Sequence, residues 1–225
     1  MSILSLQNVS KDYLSDGQRV EALKGLSLEA DRRAFVALVG RSGCGKSTLL
    51  NLAGAMDFPT SGQVLVEGIS TSSLNDAALT RLRREKVGFI FQSFQLLHTL
   101  TVFENVELPM LLAGKPRARE AAQERLEWVE LKGLGARYPH QLSGGQMQRV
   151  AIARALIHSP SLILADEPTG NLDTNTGNVI LELLRRFTRE QNTATILATH
   201  SLEAAALADR VVRMRDGKIE EILER

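Results

Sequence analysis

The sequence predicts an α/β fold built on a mostly parallel sheet with helices on its faces. Three observations support this prediction. Apolar strand-like runs alternate with helix-like stretches along most of the chain. Residues 162–165 are continuously apolar, which is typical of a strand in the centre of a parallel sheet. Residues 34–39 form an apolar run that leads into a glycine-rich loop and then a helical pattern. Because ligands of such sheets bind beyond the carboxyl ends of the strands, Gly40 and Asp166 fall at the expected site.

The elements are predicted in the following order. Residues 3–9 and 20–30 alternate apolar and polar side chains, as half-buried antiparallel strands do. Further strands are predicted at residues 34–39, 63–66, 87–91, 162–165 and 193–198, with a turn at 59–62 and a final hairpin around Asp216-Gly217. Helices are predicted at residues 47–53, 102–134, 146–158 and 176–191, the second of them broken by Pro109, Gly114 and Pro116.

Length, charge and cysteine content restrict the class of protein. A chain of 225 residues can bury a substantial core. Its 27 lysines and arginines nearly balance 26 acidic residues, so a nucleic-acid partner is not expected. The single cysteine, Cys44, favours a reducing compartment, and a small filler is the expected role over a redox one. No run approaches the ~20 apolar residues of a membrane span, and residues 1–8 do not resemble a secretory signal. Any membrane function would therefore need another chain.

A phosphate-binding loop is predicted at residues 40–48, GRSGCGKST, which fit the pattern G-x-x-x-x-G-K-[ST] at every position. The glycines let the backbone N–H groups turn inward toward phosphate oxygens. Lys46 adds a positive charge near the outer phosphates, and the Ser47 hydroxyl can bind Mg²⁺. A flexible Gly/Ser turn is the alternative, but the predicted strand before the loop and the helix after it favour nucleotide binding.

Two adjacent carboxylates, Asp166 and Glu167, end the apolar run at residues 162–165. Asp166 is placed to hold Mg²⁺ beside Ser47. Because neighbouring strand residues point in different directions, Glu167 can orient or deprotonate an attacking water while Asp166 serves the metal. A strand that simply meets solvent in a polar turn is the alternative, and the upstream phosphate loop favours the metal-and-water interpretation.

A second glycine-rich stretch, LSGGQ at residues 142–146, precedes a predicted helix. Ser143 suits the N-cap position, and Gly144 and Gly145 leave backbone N–H groups exposed at the positive end of the helix. Such an end can bind an anion. An ordinary capped helix is the alternative, and local physics alone does not separate the two.

This combination of motifs resembles the ATP-binding cassette (ABC) ATPases over nearly the whole chain. Within that resemblance, Tyr13 matches the aromatic residue that stacks on adenine, and Gln92 matches the glutamine that senses Mg²⁺ and water. Asp173, in Asn-Leu-Asp, belongs to the loop that touches the partner subunit, and His200 matches the histidine that contacts the γ-phosphate. The resemblance implies a P-loop NTPase of the ABC type that hydrolyses ATP with Mg²⁺.

The resemblance also implies domain organisation and partners. One domain would span residues 1–225, with an antiparallel β-subdomain at about 1–35 and 60–70 and a helical subdomain at about 93–145. Two copies would sandwich two ATP molecules between residues 40–48 of one chain and 143–146 of the other. Integral membrane subunits would contact the region from Gln92 to about Gln141, placing the chain in the cytoplasm on the inner face of the membrane.

Several stretches narrow the resemblance further. Residues 91–97 (FQSFQLL), 100–109 (LTVFENVELP) and 166–173 (DEPTGNLD) resemble ABC ATPases of lipoprotein release, macrolide export, haem and peptide efflux, and cell division. In that group, membrane subunits often transmit mechanical motion without carrying a substrate across. Other ABC importers and exporters are one alternative. A soluble ABC ATPase of DNA repair or translation is another, and a regulatory module that hydrolyses little is a third, which intact Glu167 and His200 argue against.

The predicted site residues divide by role. The predicted catalytic residues are Lys46, Gln92, Glu167 and His200, and the predicted Mg²⁺ ligands are Ser47, Gln92 and Asp166. The predicted ATP contacts are Tyr13, Gly40, Arg41, Ser42, Gly43, Cys44, Gly45, Lys46, Ser47, Thr48, Ser143, Gly144, Gly145, Gln146 and Asp173. An exposed apolar groove for a helix of a membrane subunit is predicted from Phe94, Leu96, Leu97, Leu100, Val102 and Phe103.

Overall fold

Two sheets organise the chain in a computed structural model that describes residues 2–15 and 17–225. An antiparallel sheet has the strand order β2-β1-β4-β5, with β1 at Ser2–Ser15, β2 at Gln18–Asp31, β4 at Ser61–Val66 and β5 at Ile69–Ser70. A six-stranded sheet has the order β10-β9-β3-β8-β7-β6, with β3 at Phe35–Val39, β6 at Val87–Ile90, β7 at Leu162–Asp166, β8 at Ala194–Thr199, β9 at Arg210–Arg215 and β10 at Lys218–Glu224. Only its β9–β10 pair is antiparallel, so the predicted α/β fold with a mostly parallel sheet is confirmed.

Seven α-helices are present in the described ranges. They are α1 at Lys46–Ala53, α2 at Asp76–Lys86, α3 at Val102–Leu112, α4 at Ala118–Trp128, α5 at Gly144–Leu156, α6 at Thr174–Glu190 and α7 at Leu202–Leu207. Short 3₁₀ turns occur at Thr71–Ser73 and Pro139–Gln141. None of the helices in this part of the chain is long and apolar enough to cross a bilayer.

The core lies on both faces of the six-stranded sheet, because successive residues of a strand face opposite sides. On β7, Ile163 and Ala165 pack with the helices α3 to α6. Leu162 and Leu164 pack instead with α1 and the antiparallel sheet. All four side chains are fully buried, which explains the continuous apolar run in the sequence.

Helix α3 corrects one prediction. Pro109 does not break it, and the helix continues to Leu112, with Ala113 as its C-cap and Gly114 following at a positive φ of 62°. The missing N–H of Pro109 costs one hydrogen bond. Val102 and Val106 bury the opposite end of the helix, and a capping box between Thr101 and Glu104 fixes its start. These interactions offset the defect near the last turn.

Helices α2 and α7 were not predicted from the sequence. Helix α2 buries only Leu79 and Leu82, so its apolar periodicity is weak. The sequence does contain one signal for the start of α2, since asparagine is a favoured N-cap residue. In the structure the Asn75 side chain accepts a hydrogen bond from the Ala78 N–H at 2.9 Å. Smaller differences concern boundaries. Helices α5 and α6 each begin two residues earlier than predicted, and Ser61 and Gly62 belong to β4 rather than to a turn.

Candidate functional site

The glycine-rich loop at residues 40–45 joins the carboxyl end of β3 to the first residue of α1. Gly45 occupies the N-cap of α1 with a φ of 104°, a conformation that side chains with a Cβ rarely adopt. A Cβ on Gly40 would lie 2.3 Å from the Met214 carbonyl oxygen, so the loop packs directly against β9. The predicted strand, loop and helix are therefore present in this order.

Lys46 reaches back across this loop. Its Nζ donates hydrogen bonds to the carbonyl oxygens of Gly40 at 2.8 Å and Arg41 at 3.2 Å. The side chain is buried, and these two hydrogen-bond partners are neutral. Because a buried ammonium is stabilised strongly by a negative charge, an anion in the loop would be a better partner than the carbonyls.

Asp166 lies beside the start of α1. It ends β7, and its carboxylate accepts a hydrogen bond from the Ser47 hydroxyl. Burial raises the pKa of Asp166, and the charge of Glu167 adds to this, while Ser47 and Lys46 act in the opposite direction. The structure thus brings together Ser47 and Asp166, which the sequence predicted as neighbours.

Glu167 points to a different partner. Its Oε2 lies 3.0 Å from Nδ1 of His200, which follows the adjacent strand β8. The backbone at Glu167 has a positive φ of 45°, and its N–H donates to the Ala198 carbonyl oxygen at 2.9 Å. This kink turns Glu167 toward His200, while Asp166 faces Ser47. The two carboxylates therefore have separate surroundings, as the predicted division of roles requires.

Gln92 contacts the loop that follows Glu167. Its Nε2 donates to Asn171 Oδ1 at 3.4 Å, and Asn171 Nδ2 donates to the Gln92 carbonyl oxygen at 3.0 Å. A Cβ on Gly170 would lie 2.8 Å from Gln92 Nε2. Gln92 is therefore in direct contact with the segment that joins Glu167 to α6.

Tyr13 lies near the other end of the phosphate loop. Tyr13 is 38% exposed, and its hydroxyl donates to Asp57 Oδ2 at 2.9 Å. Burial raises the pKa of Tyr13, the hydrogen bond to Asp57 raises it further, and a hydrogen bond with the Thr48 side chain lowers it. Contact with Thr48, two residues beyond Lys46, places Tyr13 beside the first turn of α1, where a base attached to loop-bound phosphates could reach it.

The LSGGQ stretch begins α5 as an N-cap. The Ser143 hydroxyl accepts from the Gln146 N–H at 3.3 Å, and Gln146 Oε1 accepts from the Ser143 N–H at 3.0 Å, forming a capping box. A Cβ on Gly145 would lie 2.4 Å from Thr176 Cγ2, so this end of α5 packs on the start of α6. Asp173 caps α6 by accepting from the Thr176 N–H at 3.0 Å. Hydrogen bonds with the side chain and N–H of Thr176 hold the pKa of Asp173 below its usual value.

A cleft of about 950 Å³ opens beside the phosphate loop. It is lined by Gly40, Arg41, Ser42, Gly43, Cys44 and His200, together with side chains of β9 and β10. The LSGGQ residues are not among its lining in the described part of the chain. Lys46, Ser47, Asp166 and Glu167 are likewise absent from its described lining, although contacts with Ser47 and His200 place both carboxylates at the same edge of the sheet. Asp173 lines a smaller pocket together with Glu167 and His200, and Ser143 lines neither of these two pockets.

Two contacts near this site were not predicted from the sequence, although the turn at Asp216-Gly217 was itself predicted. The turn at Asp216-Gly217 supports the phosphate loop from behind, because the Gly217 N–H donates to the Cys44 carbonyl oxygen at 3.1 Å. Asp57 bonds Tyr13 across 44 residues of sequence. Both contacts join segments far apart in the chain, so local patterns could not reveal them. Cys44 itself is buried in the core, as its filler role predicts.

Comparison with known proteins supports one family. The profile of the family described as ABC transporter matches residues 23–170. An "uncharacterized ABC transporter ATP-binding protein" of Thermotoga maritima is 50% identical, over 99% of this chain and 96% of its own length. The "lipoprotein-releasing system ATP-binding protein LolD" of Myxococcus xanthus is 44% identical, over 98% of this chain and 100% of its own length.

A solved structure agrees with this relationship. It is a dimeric post-hydrolysis state of the ATP-binding cassette MJ0796, from Methanocaldococcus jannaschii, bound to ADP and Pi. Its chain superposes with a TM-score of 0.91 at 41% identity, covering 98% of both chains. The chain therefore belongs to the ABC transporter family.

Proposed function

We propose that this chain is the ATP-hydrolysing subunit of an ABC transporter and drives a membrane partner by ATP-dependent dimerisation. Membership of the family makes it an ABC-type ATPase. The observation that carries the proposal for this chain is the separate orientation of its two carboxylates. Asp166 contacts Ser47 at the phosphate loop, whereas Glu167 lies 3.0 Å from His200.

The phosphates of ATP would bind at residues 40–48. Backbone N–H groups of the loop and the start of α1 offer donors, and Lys46 would exchange its carbonyl partners for phosphate oxygens. Glu167 would orient and deprotonate the attacking water, and His200 would hold Glu167 and contact the γ-phosphate. Gln92, tied to Asn171, would report the state of this site to the helices beyond it.

The residues present fit Mg²⁺. A carboxylate oxygen and a hydroxyl oxygen converge where Ser47 bonds Asp166, and Mg²⁺ prefers oxygen ligands, with phosphates and water completing its shell. No group of three or more His, Cys, Asp or Glu that could hold a metal occurs in residues 2–15 and 17–225, so the phosphates would have to contribute. We infer that Ser47 and Asp166 hold the ion and that Gln92 lies beside it. When bound, Mg²⁺ would neutralise charge that develops on the transferring phosphate.

A second copy of the chain would complete each ATP site. MJ0796 is dimeric with ADP and Pi bound, at 41% identity. In this chain Ser143, Gly144, Gly145 and Gln146 lie at the start of α5, which packs on the start of α6. A two-fold dimer would present them to the ATP of the partner, with Asp173 at the same interface. ATP would then close the dimer, and hydrolysis would open it.

The partner in the membrane is inferred from the relatives. LolD is a lipoprotein-releasing system ATP-binding protein and is 44% identical to this chain. We infer integral membrane subunits, a cytoplasmic location on the inner face of the membrane, and a role of the lipoprotein-release or macrolide, peptide or haem export type. Regulation of a membrane partner in cell division and a soluble, non-transport ABC ATPase are the alternatives.

Within this proposal, the antiparallel sheet and the helical region have different tasks. The antiparallel subdomain, at about residues 1–35 and 60–70, would carry the base contact at Tyr13. The helical subdomain, at about residues 93–145, would carry the membrane contact. The six-stranded core would hold the phosphates between them.

The test is the Glu167→Gln variant. The amide preserves the shape of the side chain and leaves Asp166 unchanged, but it removes the carboxylate that would activate water. ATP affinity should remain within about threefold, phosphate release should fall about 100-fold or more, and a dimer should accumulate on size-exclusion chromatography with ATP and Mg²⁺. Wild-type turnover, or a monomer at saturating ATP, would contradict the proposal. A Glu190→Gln variant, at the exposed end of α6, is the control and should behave as wild type.

A further inference from the structure

Residues 57 and 58, which follow α1, are hydrogen-bonded to side chains of β1 beside and at Tyr13. Lys11 Nζ donates to Asp57 Oδ1 at 2.7 Å and to the Phe58 carbonyl oxygen at 2.8 Å. The Tyr13 hydroxyl donates to the other carboxylate oxygen of Asp57 at 2.9 Å. Asp57 therefore holds two side chains of the same strand at once.

Asp57 is ionised and fully engaged in this position. Its Oδ1 also accepts from the Phe58 N–H at 2.7 Å. Partial burial raises the pKa of Asp57, but the hydrogen bonds from Lys11, Phe58 and Tyr13 outweigh it and hold the pKa below its ordinary value. Charge-assisted hydrogen bonds of this kind are stronger than neutral ones, so they restrict the side chains that they join.

These contacts fix the ring of Tyr13. Lys11 Nζ lies 4.9 Å from the ring centroid, within the range of a cation–π interaction. Asp57 accepts a hydrogen bond from the hydroxyl at the far end of the ring, yet Tyr13 remains 38% exposed. An exposed aromatic ring that is held at its hydroxyl and on one side loses little further freedom when a flat ligand stacks on it.

We propose that Asp57 and Lys11 are positioning residues for the nucleobase, because they hold the Tyr13 ring in the orientation on which a purine stacks. This inference rests on the proposed function, in which residues 40–48 bind the phosphates of ATP. Asp57 and Lys11 do not touch the phosphates and act through Tyr13. Their effect is therefore confined to the part of the affinity that depends on the base.

The experiment compares ATP with inorganic tripolyphosphate, which has the phosphates but no base. Equilibrium dissociation constants are measured for both ligands with the wild type, Tyr13→Ala, Asp57→Ala and Lys11→Met. The wild type should bind ATP more tightly than tripolyphosphate. Tyr13→Ala should lower the affinity for ATP about tenfold, since loss of base stacking on an aromatic ring has this order of effect. Asp57→Ala and Lys11→Met should lower the affinity for ATP by about threefold to tenfold. The affinity for tripolyphosphate should change less than about twofold in all three variants.

A double variant separates positioning from a general structural role. If Asp57 acts through Tyr13, the Tyr13→Ala/Asp57→Ala protein should bind ATP no more weakly than Tyr13→Ala alone. Asp57→Asn keeps the shape of the side chain and one acceptor oxygen, so its affinity for ATP should lie between those of the wild type and Asp57→Ala. Glu67→Ala is the matched control, because Glu67 pairs with Lys86 and Arg32 at the end of β4 opposite to Ser61, and it should leave both affinities unchanged.

Several results would overturn the inference. Asp57→Ala could lower the affinities for ATP and tripolyphosphate equally, or its effect on ATP affinity could add to that of Tyr13→Ala. Either result would show that Asp57 supports the loop and not the ring. Equal affinity of the wild type for ATP and tripolyphosphate would overturn base stacking while leaving the phosphate loop intact. A wild type that binds neither ligand would overturn the proposed function itself.

Discussion

At the scale of single residues, charge determines the chemistry of this site. Lys46 is buried against carbonyl oxygens, so its loop is arranged for an anion. Asp166 and Glu167 are consecutive, yet each has its own partner because the backbone turns into a positive φ at Glu167. A site with separated carboxylates can hold a metal on one side and activate water on the other.

Lys46→Ala is predicted to abolish measurable ATP binding. The alanine leaves the desolvated phosphates without their nearest compensating charge, a loss on the order of 3 kcal/mol or about 100-fold in affinity. Isothermal titration of ATP into the purified variant measures this effect. Lys132→Ala, which changes an exposed lysine paired with Glu127, is the control and should bind ATP as the wild type does. Normal affinity in Lys46→Ala would refute the phosphate-loop assignment.

At the scale of elements, the phosphate loop depends on a hairpin that is distant in sequence. The turn between β9 and β10 contributes Gly217, whose N–H donates to the Cys44 carbonyl oxygen and whose carbonyl oxygen accepts from the Lys24 N–H at 2.9 Å. The turn thus joins the loop to β2. Gly217 has a φ of 81°, and a Cβ there would lie 2.8 Å from the Ala22 carbonyl oxygen.

Gly217→Ala is therefore predicted to weaken ATP binding by about tenfold through displacement of the loop. Gly68→Ala is a matched control, since Gly68 has a φ of 78° but open space around its Cβ position. Both variants should lose about 1 kcal/mol of stability from the left-handed conformation, measured by urea unfolding. Gly217→Ala should lose more than Gly68→Ala, because its Cβ also meets the Ala22 carbonyl oxygen. Only Gly217→Ala should lose ATP affinity. Equal affinities of the two variants would show that the turn does not position the loop.

The sequence predicted the elements whose signals are local. The strands β3, β6, β7, β8 and β9 and the helix α1 follow apolar runs and a motif, and they were placed within one or two residues. The strand β10 continues five residues beyond its predicted end at Ile219. Helix α2 was missed because only Leu79 and Leu82 mark its buried face. Pro109 was overrated as a breaker because packing at the other end of α3 outweighs one lost hydrogen bond.

In the functional site, too, the sequence predicted only the residues whose signals are local. Ser47, Asp166, Glu167 and His200 belong to motifs, and the structure brings them to one edge of the sheet. The supporting contacts of Asp57 and Gly217 depend on the folded chain, because each joins segments separated by more than forty residues. Sequence patterns therefore revealed the residues of the predicted chemistry but not the residues that hold them in place.

At the scale of the whole molecule, two surfaces outside the cleft bear on the proposed contacts with a second copy and with a membrane subunit. Ser143 and Asp173 cap α5 and α6, and the starts of these two helices pack together at Gly145 and Thr176, so the two caps lie near each other. Near Gln92, the predicted apolar groove is only partly exposed. Leu96 and Val102 are buried in the core, Phe94, Leu100 and Phe103 are half-buried, and Leu97 is 47% exposed. The groove therefore reduces to a rim with Leu97 at its most accessible point.

Leu97→Glu is predicted to uncouple the chain from its membrane subunit. The Leu97 N–H donates to Asn105 Oδ1, and Asn105 Nδ2 donates to the Leu97 carbonyl oxygen, so a charge on the exposed side chain of Leu97 should leave the fold and ATP binding unchanged. Binding of the membrane subunit and its stimulation of ATP hydrolysis should fall about tenfold, since a buried unpaired carboxylate is costly at an interface. Ile69→Glu, which changes a side chain of similar exposure on β5, should retain both. If charged substitutions at every exposed position of residues 94–109 preserve partner binding and stimulated hydrolysis, the membrane subunit docks elsewhere.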